Sequence, residues 1–348
     1  MPIVADFADA VVGGDTHKDS HALEMVAPSG ARIAAVTISN DRDGFAHAIA
    51  WIAEHASGPR VVVGLEGTRS YGIGLARAVS AAGLAVVEVE RPKRAQRRGR
   101  GKSDPIDAHL AAMQVLGMDS ERLPIPRADG PREALRILLV ARNELTGTQT
   151  RRINQLRALL LTGQDCDRQL SHGKLSLTWL NTIARRRGSA TDTAEQSVRR
   201  LEARRLALNI RDSQRELAAN SKQLRQILTA IAPGLLAKYG VGAVSAAQAL
   251  VSWSHPGRCR SEAAFAALAG ASPIPASSGR ITRHRLSRGG DRDLNRALHT
   301  IALTRWRSCP RTAAYIARRR AQGKTDGEIR RMLKRYIARE LYRTLNAA

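Results

Sequence analysis

The sequence predicts a mixed α/β domain at the N-terminus, a mainly helical middle and a mainly helical C-terminal part. Short β-branched runs alternate with helical patterns through the first third of the chain. Leucine-rich stretches at helical spacing occupy Pro131 to Leu161 and Thr193 to Ala232. A basic amphipathic pattern from Ala313 to Leu345 closes the chain. These features divide it into segments 1–125, 126–232 and 233–348.

Val11-Val12-Gly13-Gly14-Asp15 is a β-branched run ending in an acid, read as a first strand that delivers a carboxylate to the edge or end of a sheet. The plainer reading of Asp15 is a turn former. His21 to Val26 and Ile33 to Ile38 read as two more strands of a meander, turned by Pro28-Ser29-Gly30. Phe45, Ile49 and Ile52 mark a helix over Asp43 to Ala53. Arg60 to Glu66 is an apolar strand that also closes on an acid. A helix over Gly72 to Ala82, a strand over Leu84 to Val89 and a helix from Asp104 complete the pattern. The fourth and fifth strands need crossover helices, so they are expected parallel, with the strand ending in Glu66 near the centre. Gly72-Ile73-Gly74 lacks the rest of a dinucleotide fingerprint and reads as packing.

The excess of 56 Lys and Arg over 31 Asp and Glu, a net charge of +25, points to a polyanion such as nucleic acid. No apolar run is long enough for a spanning helix, and Met1 to Ala10 carries two acids and no base, so neither a membrane span nor a signal peptide is expected. Cys166, Cys259 and Cys309 are too few and too scattered for a disulfide framework or a zinc finger. A reducing cytoplasm, with association to the nucleoid when acting on DNA, is the expected setting.

In Lys102-Ser103-Asp104-Pro105-Ile106-Asp107, Pro105 suits a first helical position and Asp104 an N-cap, each acid worth about 1 kcal/mol on that account. The spacing of three also sets both carboxylates on one helix face. If that face looks toward the strand ends bearing Asp15 and Glu66, four carboxylates crowd together. Like charges about 4 Å apart repel by roughly 4 kcal/mol at an effective dielectric of 20, so the cluster requires a cation. Oxygen-only ligands select a hard one, Mg²⁺ or Mn²⁺. Just before this helix, Arg91 to Lys102 holds seven bases and no acid. Arg94, Arg97, Arg98, Arg100 and Lys102 are candidates for phosphate binding, against the plainer reading of a solvated loop.

The two long middle helices read as an antiparallel hairpin or a dimerising coiled coil. Ile210, Leu217, Leu224 and Ile231 recur every seven residues, although the partner positions Ser213 and Asn220 are polar. A break with Cys and Gly is expected over Thr162 to Gly173. Arg199, Arg200, Arg204 and Arg205 suit nucleic acid or a solvated face equally. Tyr239-Gly240-Val241-Gly242 before a small-residue helix resembles a helix-hairpin-helix motif, in which backbone amides meet DNA phosphates. Ala269 to Arg280 is a loop of turn residues containing Ser277 and Ser278, and Arg280, Arg283 and Arg285 follow. A serine held there beside arginines has what attack on a phosphate requires, a hydroxyl and charge neutralisation, against the plainer reading of an ordinary Pro/Gly loop.

The runs Gly14-Asp15-Thr16-His17-Lys18, Leu65-Glu66-Gly67-Thr68, Lys102 to Ala108, and Gly270 to Pro275 through Ser277-Ser278-Gly279 to Arg288-Gly289-Gly290-Asp291 follow one another in order. In these the chain resembles, over its whole length, the insertion-sequence transposases of the IS-one-ten type, the DEDD recombinases. The resemblance implies an RNase H-like (RuvC-like) N-terminal domain, a coiled coil in the middle and a C-terminal transposase domain. It implies Asp15, Glu66, Asp104 and Asp107 as a metal-binding tetrad. The nucleophile falls on Ser278, directly before glycine, with Ser277 as the alternative. It further implies double-stranded donor and target DNA, a structured noncoding bridge RNA as guide, and assembly into dimers and tetramers in which the serine of one protomer meets the tetrad of another. The rival readings are a hydrolytic RuvC-like junction nuclease and a non-catalytic basic DNA-binding protein.

Overall fold

The computed structural model describes residues 2–90, 104–276 and 284–347, with Asp104 described in its backbone alone. They form two compact units. One comprises Met1–Glu133, Ser252–Gly290 and Ala338–Ala347, the other Ala134–Val251 and Asp291–Ile337.

The first unit is built on β1 (Ala10–Thr16), β2 (Ser20–Val26), β3 (Arg32–Ser39), α1 (Arg42–His55), β4 (Val61–Leu65), α2 (Ile73–Ala81), β5 (Ala85–Glu88) and α3 (Asp104–Leu116). The strands lie in the order β3-β2-β1-β4-β5. The meander is antiparallel, while β1–β4 and β4–β5 are parallel, as crossover helices require. β1 takes the centre and β4 stands beside it.

Both faces of the sheet are covered, which is why its inner strands are almost continuously apolar. Ala10, Val12, Leu23, Val61, Val63 and Leu65 pack on one side with Ala48, Trp51, Ile52, Leu75 and Val79 of α1 and α2. Val11, Val26, Val62 and Val87 pack on the other with Ala111, Ala112 and Val115 of α3. Gly74 is a packing glycine, since a Cβ there would stand 2.6 Å from Phe45 Cζ. α3 begins at Asp104, where the sequence pattern places the start of this helix.

The chain continues as α4 (Gly130–Leu161), α5 (Asp165–Ser171), α6 (Leu177–Arg185), α7 (Ala194–Ile231), α8 (Pro233–Leu236), α9 (Ala243–Trp253), α10 (Glu262–Leu268), β6 (Ile274–Pro275), β7 (His284–Arg285), α11 (Arg292–Ser308), α12 (Pro310–Ala321) and α13 (Asp326–Asn346). Within the second unit α4 and α7 run antiparallel. Asn220 donates to the Leu138 carbonyl at 2.9 Å, Arg152 to Ser213 Oγ at 2.9 Å and Arg199 to the Leu159 carbonyl at 2.6 Å, so the numbering rises on one helix as it falls on the other. Leu156 and Leu160 share a core with Ala203, Leu206, Ala207 and Ile210, closed by Trp179, Leu180 and Ile183 of α6.

The expected break after Leu161 contains α5, capped at Gln164 and tied through Asp167 to Arg186. The basic end is two helices, divided at Gly323, whose φ of +73° suits glycine. Within the expected loop of turn residues, Ile274 and Pro275 form a short ladder in which Ile274 faces Arg285 and Pro275 faces His284. α8 has four residues, and Gly240 adopts φ +74° before α9. Arg199 and Arg200 are held at home, the first by Glu195 and the Leu159 carbonyl, the second by Asp192. Among the described residues no helix is long and apolar enough to cross a membrane.

Candidate active site

Asp15 and Glu66 end neighbouring parallel strands. Gly14 pairs with Leu65, and the Glu66 amide still donates to the Gly14 carbonyl at 3.0 Å, so the ladder runs one residue past β4. Thr16 Oγ1 donates to the Glu66 carbonyl at 2.8 Å, fixing the turn that follows. Strand alternation places Asp15 with Val11 and Gly13, and Glu66 with Val62 and Gly64, on the face covered by α3.

Gly13 lets α3 lie directly on β1: a Cβ there would stand 2.9 Å from Ala112 Cα and closer still to the Ala108 carbonyl oxygen. Asp107, next to Ala108, is 6% exposed, as is Asp15. The sheet and α3 therefore bring Asp15, Glu66 and Asp107 to one end and one face. Their donors are all oxygen, which fits a hard divalent cation. They are not closed into a cluster: among the described residues no group of three or more His, Cys, Asp or Glu side chains is placed to hold a metal ion. The side chain of Asp104 lies outside the described residues.

Arg94, Arg97, Arg98, Arg100, Lys102, Ser277, Ser278, Arg280 and Arg283 also lie outside them. Arg285, on β7, is exposed. The ladder of β6 and β7 flanks the serine loop at both ends.

Three further side chains belong to this end of the sheet and carry no role in the reading of the sequence. His17 Nε2 lies 3.1 Å from Asp15 Oδ2. Glu24 pairs with Gly13 across β2 and so shares the α3 face, where His109 Nδ1 approaches its Oε1 at 2.7 Å. An acid at a buried strand position and a histidine two residues after Asp107 were the available signals. Their contact depends on a strand register that local pattern does not carry.

A chain this basic, with a mixed sheet whose parallel pair β1–β4 brings carboxylates to adjacent strand ends, has the makings of an enzyme acting on nucleic acid. Family models agree and narrow the class to transposases, which cut and rejoin DNA: a DEDD transposase model matches residues 12–163, β1 into the region after α4, and a second matches residues 233–317. The chain belongs to the IS110 type, the second model being that of the IS116/IS110/IS902 transposase family. No curated protein sequence matches it.

Proposed function

We propose that the chain is a DNA recombinase that cuts and rejoins strands through attack of Ser278 on a phosphodiester, with Asp15, Glu66, Asp104 and Asp107 as the acidic site. The observation that supports it most is the meeting of Asp15 and Glu66 at adjacent strand ends under the helix that carries Asp107. These carboxylates would hold Mg²⁺ or Mn²⁺, which when bound supplies charge neutralisation to a phosphate. The serine oxygen forms the new bond to phosphorus and gives up its proton, and the bond to the 3′ oxygen breaks and leaves a 3′-hydroxyl. The phosphoester is conserved in the serine link, so strands rejoin without an external energy source. Arg280, Arg283 and Arg285 would offset the charge that develops on the phosphate, and Arg94, Arg97, Arg98, Arg100 and Lys102 would hold backbone phosphates. A structured bridge RNA would choose donor and target, and a dimer or tetramer would bring one copy's serine to another copy's acids.

Trapping on a denaturing gel tests the chemistry. Wild-type protein with element-end DNA should yield a covalent adduct that both Ser278→Ala and Asp15→Asn abolish. Free DNA ends from Ser278→Ala, with no adduct from the wild type, would make water the nucleophile and the chain a hydrolytic nuclease.

A further inference from the structure

Glu24, on β2, is a carboxylate only 4% exposed, and it stands outside the four acids of the proposed site. It pairs in register with Gly13, two residues short of Asp15 on the neighbouring strand. His109 Nδ1 donates to its Oε1 at 2.7 Å, since a carboxylate can only accept. Arg32 Nε lies 3.7 Å from Oε2 on a side chain that is largely in water. A charge buried in this way is often no more stable than a well-packed apolar pair, and its best-attested use is to select one arrangement over others.

The packing of α3 leaves an arrangement to be selected. The helix meets the sheet through Ala108, Ala111 and Ala112, laid on the bare backbone of Gly13. A face of such small residues has few ridges to lock into grooves, so it sets the height of the helix more firmly than its roll about its own axis. On the β4 side Val115 sits over Gly64. On the β2 side the stops are His109 against Glu24 and, one turn further on, Met113, whose Cε would lie 3.1 Å from a Cβ on Gly30 in the β2–β3 turn.

At about 100° per residue, Asp107 and His109 stand on opposite flanks of Ala108, so the contact that holds His109 over β2 also fixes the bearing of Asp107 on the other flank. A side-chain carboxylate lies roughly 5–6 Å from the helix axis. A roll of about 10° therefore carries it by about 1 Å.

We propose that Glu24 and His109 are positioning residues for the acidic site: their contact stops the roll of α3 and holds Asp107 at the strand ends that bear Asp15 and Glu66. The inference rests on the reading of those acids as the metal-holding set. It adds to them a buried acid and a histidine that act through Asp107 and touch neither metal nor DNA themselves.

The test uses the full chain, Mn²⁺ alone as one probe and element-end DNA as the other. The double variant Glu24→Leu, His109→Leu replaces a directional contact by an apolar one, so it should melt at or above the wild-type temperature in chelator. Its melting temperature should nonetheless rise less than the wild type's when Mn²⁺ is added. Its adduct yield should fall on the order of 100-fold, the effect of displacing a reactive group by about 1 Å. Glu24→Gln keeps an oxygen that accepts from His109 and should hold both readouts near the wild type. If the double variant melts too low to assay, His109→Ala, read below its own melting temperature, carries the same comparison. A wild-type Mn²⁺ response and adduct yield in the double variant would reduce the pair to packing, and a Glu24→Gln as impaired as the double variant would make the charge rather than the contact responsible; either overturns the proposal. Asp107→Asn judges the underlying reading separately, and should lose both the Mn²⁺ response and the adduct. If it keeps both, the acidic site falls and the positioning role with it; if it loses both while the double variant keeps both, the positioning role alone is wrong.

Discussion

Gly13 in β1 and Ala112 in α3 touch backbone to backbone, so that the smallest added side chain on Gly13 would stand 2.9 Å from the Ala112 Cα. That contact sets the height of α3 above the sheet, and with it the place of Asp107. Gly13→Ala should therefore lower stability by about 1–3 kcal/mol through overpacking. It should also reduce adduct formation on the order of 100-fold, the effect of shifting a reactive group by about 1 Å. Gly117→Ala, whose Cβ would find only the Gln114 carbonyl oxygen at 3.9 Å, is the control and should leave both unchanged. Thermal melts and adduct yield check the pair.

His21 is fully buried on β2, stacked on Phe45 at 6.1 Å, with Nε2 3.0 Å from Asn40 Oδ1 and Nδ1 3.0 Å from the Ser20 carbonyl. Burial holds its pKa below 6.5, outweighing the hydrogen bonds to Asn40 and Ser20; nearby His17 lowers it further and Asp15 raises it. The unfolded chain then binds the proton more readily than the folded one. The stability tied to His21 is whole above about pH 6.5, falls as the pH drops below that value, and stops falling below the folded-state pKa. Melting temperatures from about pH 8 to about pH 5 should show a decline that His21→Gln reduces.

Glu24 is buried under α3, and beside its short contact with His109 it has Arg32 at 3.7 Å. His109→Ala should cost about 1–3 kcal/mol, because a carboxylate is left poorly partnered out of water. In a Glu24→Gln background the same change should cost less. Chemical denaturation of the four proteins of this cycle measures the coupling, and equal costs in both backgrounds would show that the contact contributes nothing.

The strands were legible because each is a short apolar run bounded by turn residues, and the acids at positions 15 and 66 stood out as their terminal residues. That β1 and β4 are neighbours was less accessible, since their pairing skips the β2–β3 hairpin and no local pattern encodes it. The contact of Glu24 with His109 was hidden for the same reason: it joins segments far apart in the chain. Gly323 was readable as a helix break but lay inside an otherwise continuous apolar repeat, which the pattern of Ile316, Ile329, Leu333 and Ile337 carried across it.

Ser213 and Asn220 stand at the partner positions of a seven-residue apolar repeat and are nonetheless buried, because α4 supplies their partners. Arg142 Nη1 donates to the Leu217 carbonyl at 3.1 Å and to Ser221 Oγ at 2.8 Å and lies 3.4 Å from Asn220 Oδ1, while Asn220 itself donates to the Leu138 carbonyl. A buried amide and a partly buried guanidinium that meet in one register reject others, since a slip of either helix strands them without partners. Asn220→Ala alone should then destabilise the helix pair by about 1–3 kcal/mol. Replacing both, Asn220→Leu with Arg142→Leu, should recover much of that stability by giving an apolar seam, and should lose the preference for the intrachain partner. Sedimentation would show the double variant associating at concentrations where Asn220→Ala keeps the wild-type distribution; identical distributions for all three would mean that the polar pair does not select the register.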